Sequence, residues 1–422
     1  MHENDLEAAS EQPPARRLHL LALNPTDSVT EGFLPAAARL GLAVTLLTDQ
    51  PEAHERALAR RAAAGGPLPE LTVTRCAVRD FREVVSHLAA QPRRPDAVFT
   101  NSDHLQTQAA LAADFLGLPG KDWRAALRTK NKAELRRALA AAGADTVWSA
   151  ELPAGHDPAA LLAQDPPFPC VVKPREGVAS EDVFLVAGPA ELRRRCRETQ
   201  DRRPGEALVV EEFLDGPVQT LETLGDGRTL HAFASFRTDI SPPPHFIEER
   251  LVLLPEPPQP HTERVLAQLR ALGVGFGACH TEYVVQGDRA RLIEVNYRSI
   301  GDQCDLVLAE LLGVPLFEHI LRTHLGEPLP AALGARTGAR ARLEYITAHR
   351  AGRLVSAPAA TAYRTGGVRL DYRPLRETGT ERPLHHTNRD FLGVLRATGT
   401  DQHRIDRAVA EFLAAHRWEI AP

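Results

Sequence analysis

The stretch Val274–Asp305, VGFGACHTEYVVQGDRARLIEVNYRSIGDQCD, decides how the rest of the chain is read. Two short apolar runs flank Gly287-Asp288, the pattern of a β-hairpin. Side chains alternate faces along a strand, so Glu294, Asn296 and Arg298 share one face while Val295 and Tyr297 share the other. Glu282 stands twelve residues before Glu294. A loop with an odd number of residues centred on Asp288 sets the two glutamates directly opposite each other, on the face of Asn296 and Arg298. A two-residue Gly287-Asp288 turn sets them on opposite faces.

Like charges on opposed strand positions repel. Two carboxylates and an amide oxygen beside an arginine are therefore a costly group without a cation. Hard oxygen ligands suit Mg²⁺, above all when phosphate oxygens complete its shell. An exposed amphipathic hairpin has the same alternation. The order Glu-x-Asn-x-Arg, with a second glutamate one strand upstream, favours the cation.

The surrounding chain is 422 residues long, enough for two or three domains. Its hydrophobic content of 43% and charged content of 25% are those of a globular protein. A net charge of −5, with no basic block interleaved with aromatics, argues against a nucleic-acid partner. Cys76, Cys170, Cys196, Cys279 and Cys304 are scattered, without disulfide or zinc spacing, and read as reduced thiols of a cytoplasmic protein. No apolar run is long enough to span a membrane. The opening MHENDLEAASEQPPARR is polar and acid-bearing, unlike a signal or import peptide, and reads as a disordered tail over residues 1–17.

From Leu18 to Leu118, strands at 18–23, 44–48, 71–76 and 97–100 alternate with helical stretches, which implies an open parallel α/β sheet. No Gly-x-Gly-x-x-Gly follows the first strand, so the dinucleotide fingerprint is missing. Asn101-Ser102-Asp103 falls where ligands bind in such sheets, and fits a helix N-cap equally well. A helix from Lys132 to Ala142 closes at Gly143. Beyond it an α+β domain begins, with the strand PCVVKP, the loop REGVASEDV, the strand ALVVEEFL and a hairpin at Asp226-Gly227. After the opening hairpin, a helix over 305–325 breaks near Gly313-Val-Pro. Residues 331–422 read as a further α+β segment packed on the preceding domain, ending in a helix at 401–416.

Taken in order, these pieces supply what a nucleotide site requires. Lys132 opens a helix, where free N–H groups and the dipole favour anions. Lys173 ends a strand beside a loop whose N–H groups could fold over phosphates. Glu211-Glu-Phe-Leu ends another strand, and its backbone could pair with an adenine edge. Singly, each has an ordinary explanation as a solvated lysine, a turn or a surface ion pair; their joint order carries the weight.

The segments NKAELRRALAAAG, FPCVVKPREGVASEDVFLV, VVEEFLDG, HTEYVVQGDRARLIEVNYRSIGD and LGVPLFEHILRTHLGE resemble the ATP-grasp superfamily, most of all its carboxylate–amine (L-amino-acid) ligase branch. The resemblance spans about 18–328. It implies an N-terminal Rossmann-like domain over 18–118 and an ATP-grasp domain over 119–330, divided into a central part near 145–215 and a metal-binding part near 216–330. ATP is gripped between those two parts. It also implies Lys132 and Lys173 on the phosphates, Gly177 and Ser180 in the phosphate loop, and Glu211, Phe213 and Leu214 at the adenine hinge. Glu282, Glu294 and Asn296 match the ligands of Mg²⁺ (or Mn²⁺), and Arg298 faces the transferred phosphoryl group. Where relatives carry an acid for the ribose, this chain has Val218, leaving Gln219 or Glu222 to serve. His280, Arg237 and His245 are the remaining substrate-side candidates, His280 fitting a structural role as well. Ala179 and Asp182 stand where the family's loop commonly has glycine.

The implied reaction passes the γ-phosphoryl of ATP to a carboxylate, after which an amine attacks the acyl phosphate. The expected partners are a small-molecule carboxylate and amine, with neither nucleic acid nor membrane, and dimers are common among such relatives. Two other readings keep the fold: bicarbonate activation, as in biotin carboxylases, and a non-catalytic ATP sensor, which the altered loop favours.

Overall fold

The computed structural model describes residues 15–333 and 338–422. A parallel sheet of four strands comes first: Arg17–Leu21, Ala43–Thr48, Glu70–Arg75 and Ala97–Phe99, in spatial order third, second, first, fourth. Its leading strand buries four of its five residues, as a parallel strand covered on both faces must. Arg17 already pairs with Ala43, and Arg16 forms an ion pair with Glu327, so the tail expected over 1–17 was drawn too long. Residues 1–14 of that expected tail lie outside the described residues.

Two short helices follow the sheet. Trp123–Lys130 stops at Asn131, whose side chain accepts the N–H groups of Ala133 and Glu134 and so caps Lys132–Ala141. The cap fixes Lys132 at the first position of its helix. Next comes an antiparallel sheet of Ser149–Leu152, Leu208–Glu212, Cys170–Pro174 and Phe184–Val186. Alternation sends Cys170, Val172, Leu208 and Val210 into its apolar core. Lys173 and Glu211 are thereby left on the other face.

The hairpin belongs to a ten-stranded antiparallel sheet. Its strands run, in space, Arg289–Asn296, Phe276–Gln286, Val218–Asp226, Phe236–Ile240 and Glu248–Leu253. Arg340–Thr347, Phe391–Gly399, Val368–Pro374 and Thr361–Thr365 then continue it, and the tenth strand, Leu230–Ala234, pairs off this path with Val218–Asp226. The C-terminal part, expected to pack on the preceding domain, is hydrogen-bonded into the hairpin's own sheet through Glu248–Leu253 and Arg340–Thr347.

The parallel sheet is held to this large sheet by a shared apolar cluster. Phe33 contacts Phe99 at 4.6 Å and Phe317 at 4.9 Å between ring centroids. Phe317 belongs to Leu316–His324, which follows Cys304–Leu312 after a break at Gly313, where φ is 62°. All five cysteines are buried free thiols. Among the described residues, no helix is long and apolar enough to cross a membrane.

Candidate active site

Gln286 pairs with Arg289, so the hairpin turn holds two residues, and Gly287 takes the positive φ of 61° that primed turns need. Parity alone would then set Glu282 against Ile293. Instead Tyr283 faces Leu292, Glu282 faces Glu294, and Ile293 is the extra residue of a β-bulge. Of the two loops the sequence left open, the two-residue turn is the one formed, and a bulge accompanies it. The bulge restores the face that the turn would have lost.

Both glutamates line a cavity of about 170 Å³ between the four-stranded and the ten-stranded sheets. Lys132, Lys173, Gly177, Ser180, Glu211, Phe213 and Leu214 line it too, so nine sequence candidates converge. Val171, Val218, Ile240, Phe246 and Ile293 give it an apolar wall.

Lys132 Nζ donates to Glu294 Oε1 at 2.7 Å and to the Gly177 carbonyl at 3.0 Å. Burial lowers its pKa, but the Glu294 carboxylate more than offsets that, and the net shift is upward. Lys173 lies 2.7 Å from Glu211, which also accepts Arg136 through both oxygens at 2.9 and 2.7 Å. Burial pushes the Glu211 carboxyl up, while Arg136 and then Lys173 hold it down to about 2. The Glu211 side chain is therefore the buried counter-charge of two cations. Of the expected hinge donors, the Phe213 N–H is engaged by the Pro169 carbonyl at 3.2 Å.

The loop after Lys173 keeps the backbone of a glycine-rich loop without the glycines. Ala179, Ser180 and Asp182 have φ of 56°, 57° and 54°, the left-handed region that glycine favours. Asp182 does not face the cavity; it pairs with Arg202 at 2.7 Å and Arg203 at 2.5 Å. The Ser180 hydroxyl donates to the Phe246 carbonyl at 2.7 Å. Asn388 holds the loop from the C-terminal part, donating its N–H to the Ala179 carbonyl at 3.3 Å, and Arg389 pairs with Glu181.

His280 sits under Glu282, with Nδ1 2.8 Å from Glu222 and Nε2 3.4 Å from Glu282. Burial lowers its pKa, and Glu222 followed by Glu282 raises it to about 10, so the ring is an imidazolium linking two carboxylates. Asn296 pairs with His280, its amide nitrogen 3.5 Å from Glu282 Oε1. Arg298 lies just past the strand, 3.9 Å from Asp103, which is paired with Lys130. Asn101 Oδ1 accepts the N–H and hydroxyl of Ser299 at 3.1 and 2.9 Å, tying the parallel sheet to this corner instead of capping a helix.

Two expectations are corrected. Glu222 is 1% exposed, bonded to Thr220 at 2.8 Å and to His280 at 2.8 Å, and does not line the cavity where a ribose was expected to meet it. Arg237 is on the sheet face opposite the cavity: Thr238 and Ile240 point in, while Arg237 reaches Asp239 at 3.3 Å. Sequence reasoning missed Arg136 and Glu248. Arg136 falls four residues after Lys132, on the same helix face, which was a usable signal. Glu248 had none. It lines the cavity, and burial, followed by the charge of Glu282, raises its carboxyl to about 8.

No family model and no curated protein matches the sequence. Solved structures do match in fold. L-amino acid ligase from Bacillus licheniformis superposes with a TM-score of 0.75 at 20% identity, over 97% of this chain and 100% of that one. Phosphoribosylglycinamide synthetase from Anaerococcus prevotii gives 0.70 at 14% identity, over 97% and 100%. The biotin carboxylase domain of Hydrogenobacter thermophilus 2-oxoglutarate carboxylase, in complex with MgADP, ADP and bicarbonate, gives 0.69 at 14%, over 96% and 91%. The chain has the ATP-grasp fold.

Proposed function

We propose that this protein is an ATP-dependent carboxylate–amine ligase, forming an amide bond between amino-acid-like small molecules through an acyl phosphate. One observation carries the reading: Glu282 and Glu294 are directly paired on the wall of a cavity that Lys132 and Lys173 enter from two other elements.

The donor set fits a hard divalent cation. Among the described residues no group of three His, Cys, Asp or Glu is placed to hold a metal ion by itself; Glu282, Glu294 and Asn296 would suit an ion whose remaining ligands are phosphate oxygens. Bound Mg²⁺ would neutralise phosphate charge and help align the transferred group.

The chain's own residues would do the rest. Lys132 and Lys173 would bind phosphate oxygens, and the left-handed loop at 179–182 would present N–H groups to them. Val171, Val218, Ile240 and Phe246 would exclude water around the base. Arg298 would meet the carboxylate and the phosphoryl group passing to it, where fixed positive charge stabilises the charge that develops. Glu248 faces the same space and would hold the ammonium of an amino-acid substrate. Amide formation requires no side-chain base if the amine arrives neutral.

ADP release with Mg²⁺-ATP and a panel of amino and organic acids, each with and without an amine, tests this. Release dependent on both a carboxylate and an amine supports the ligase. Release with bicarbonate alone, or tight ATP binding without turnover, would overturn it.

A further inference from the structure

A second chamber lies on the far side of the phosphate loop. Its volume is about 380 Å³, and it shares only Gly177 and Val178 with the nucleotide cavity, so the loop is the partition between them. Four segments distant in sequence bring arginines to it: Arg79 beyond the strand Glu70–Arg75, Arg175 after Cys170–Pro174, Arg203 after Pro189–Arg202, and Arg389 in the C-terminal part. The carboxylates there are Glu176, Glu181 and Glu206. Arg175 is paired with Glu151 and Glu176, Arg203 with Glu181, Asp182 and Glu206, and Arg389 with Glu181. Among the described residues Arg79 forms no ion pair, and its guanidinium is the uncompensated charge of the chamber.

The chamber is also lined by His104, beside the Asp103 that pairs with Lys130 and lies near Arg298. It therefore adjoins the corner where an acyl phosphate would form. Arg79 offers a planar fork suited to an oxyanion.

We propose that this chamber admits the amine cosubstrate and that Arg79 recognises an anionic group on it, a carboxylate or a phosphonate. The inference rests on the ligase reading. The amine enters with its anion on Arg79 and its nitrogen past His104 toward Arg298, where the acyl phosphate would form. The nitrogen lone pair forms the C–N bond, the C–O bond to phosphate breaks with its electron pair on the departing phosphate, and the ammonium proton passes to solvent.

The test separates the two halves of the reaction. The 422-residue chain is given Mg²⁺-ATP and each of the common amino acids as carboxylate. Hydroxylamine, small and uncharged, traps the acyl phosphate as a hydroxamate. Amide products are then measured with alanine, aminomethylphosphonate or alaninamide as the amine. Alaninamide has the less basic nitrogen and more of it neutral at pH 7.5, so a preference for alanine reports recognition and not reactivity. Wild type is expected to favour one of the anionic amines over alaninamide by about tenfold or more in kcat/KM. Arg79→Ala should erase that preference and leave hydroxamate formation unchanged, and Arg79→Lys should restore part of it. Equal use of alaninamide by wild type, an unchanged preference in Arg79→Ala, or hydroxamate without any amide product would overturn the chamber and leave the ligase reading standing. No ATP-dependent hydroxamate from wild type would overturn the ligase reading and this inference with it.

Discussion

Glu282 and Glu294 stand opposite each other across a hairpin whose two-residue turn would have parted them, because Ile293 bulges out of the second strand. The pairing holds two negative charges on one cavity wall, and only Glu294 is countered by an ammonium, that of Lys132. Replacing Glu294 with Gln keeps shape and hydrogen bonding and removes one charge. Glu294→Gln should lower Mg²⁺-dependent ADP formation by at least about 100-fold while unfolding stability shifts by no more than about 2 kcal/mol. Undiminished turnover in that variant, followed by ADP release, would remove the metal assignment.

Lys173 and Glu211 make opposite predictions. Lys173→Ala removes a cation aimed at the nucleotide and leaves Glu211 paired with Arg136. It should raise the KM for ATP far more than that for the other substrates. Glu211→Gln instead leaves two buried cations without their counter-charge, at a cost of about 3–5 kcal/mol in stability. The Glu211 carboxyl is held near 2, below its ordinary 4.5. Its contribution is therefore present above pH 4.5 and lost as pH falls through 2. Denaturant unfolding at pH 7 reads the stability loss, and steady-state kinetics of Lys173→Ala read the split between substrates.

Much of this arrangement was legible before any coordinates. Strand–helix alternation up to Leu118, the helix that Lys132 opens, and the face shared by Glu294 and Asn296 all follow from local periodicity. What failed depends on partners far along the chain. Alternation puts His280 and Glu282 on one face, yet only the neighbouring strand places Glu222 beneath them, paired with His280. Arg237 is excluded because the cavity took Thr238 and Ile240, a choice of face that the run FRTDI does not reveal. A bulge leaves no mark in composition, so the parity of the hairpin could not be fixed. Asn388 and Arg389 reach the phosphate loop from more than 200 residues away, through a sheet continuation that no local pattern announces.

Ala179 sits at φ 56°, a conformation in which its Cβ crowds the backbone. Neighbouring bonds hold it there, including the Asn388 N–H on its carbonyl. Glycine would relieve about 1 kcal/mol of strain, partly offset by its freedom in the unfolded chain. Ala179→Gly should therefore match or exceed wild type by up to about 1 kcal/mol and leave the KM for ATP nearly unchanged. A clear drop in melting temperature would show that this position is not left-handed in solution.

His324 lies between the rings of Phe99 and Phe276, with centroids 4.9 and 5.1 Å away. Burial, followed by the charge of Lys121, pushes its pKa down to about 3. His19, which is buried, and His104, which is half-buried, are lowered to about 4 by the same dominant cause. In the unfolded chain all three titrate near 6.5. Between that value and the folded ones, the unfolded state binds protons that the folded state refuses, so stability falls as pH falls. Each histidine contributes a slope of at most about 1.4 kcal/mol per pH unit. His324→Phe keeps an aromatic ring between two others and removes one of the three protons. Its unfolding free energy, measured in urea at pH 7.5, 6.0 and 5.0, should decline less steeply than that of wild type, by about 1 kcal/mol per unit. The comparison of slopes is insensitive to any packing cost of the larger ring, which is the same at every pH. Parallel slopes would mean that His324 is already free to protonate in the folded protein, and that the joint between the parallel sheet and the large sheet is wetter than its ring contacts imply.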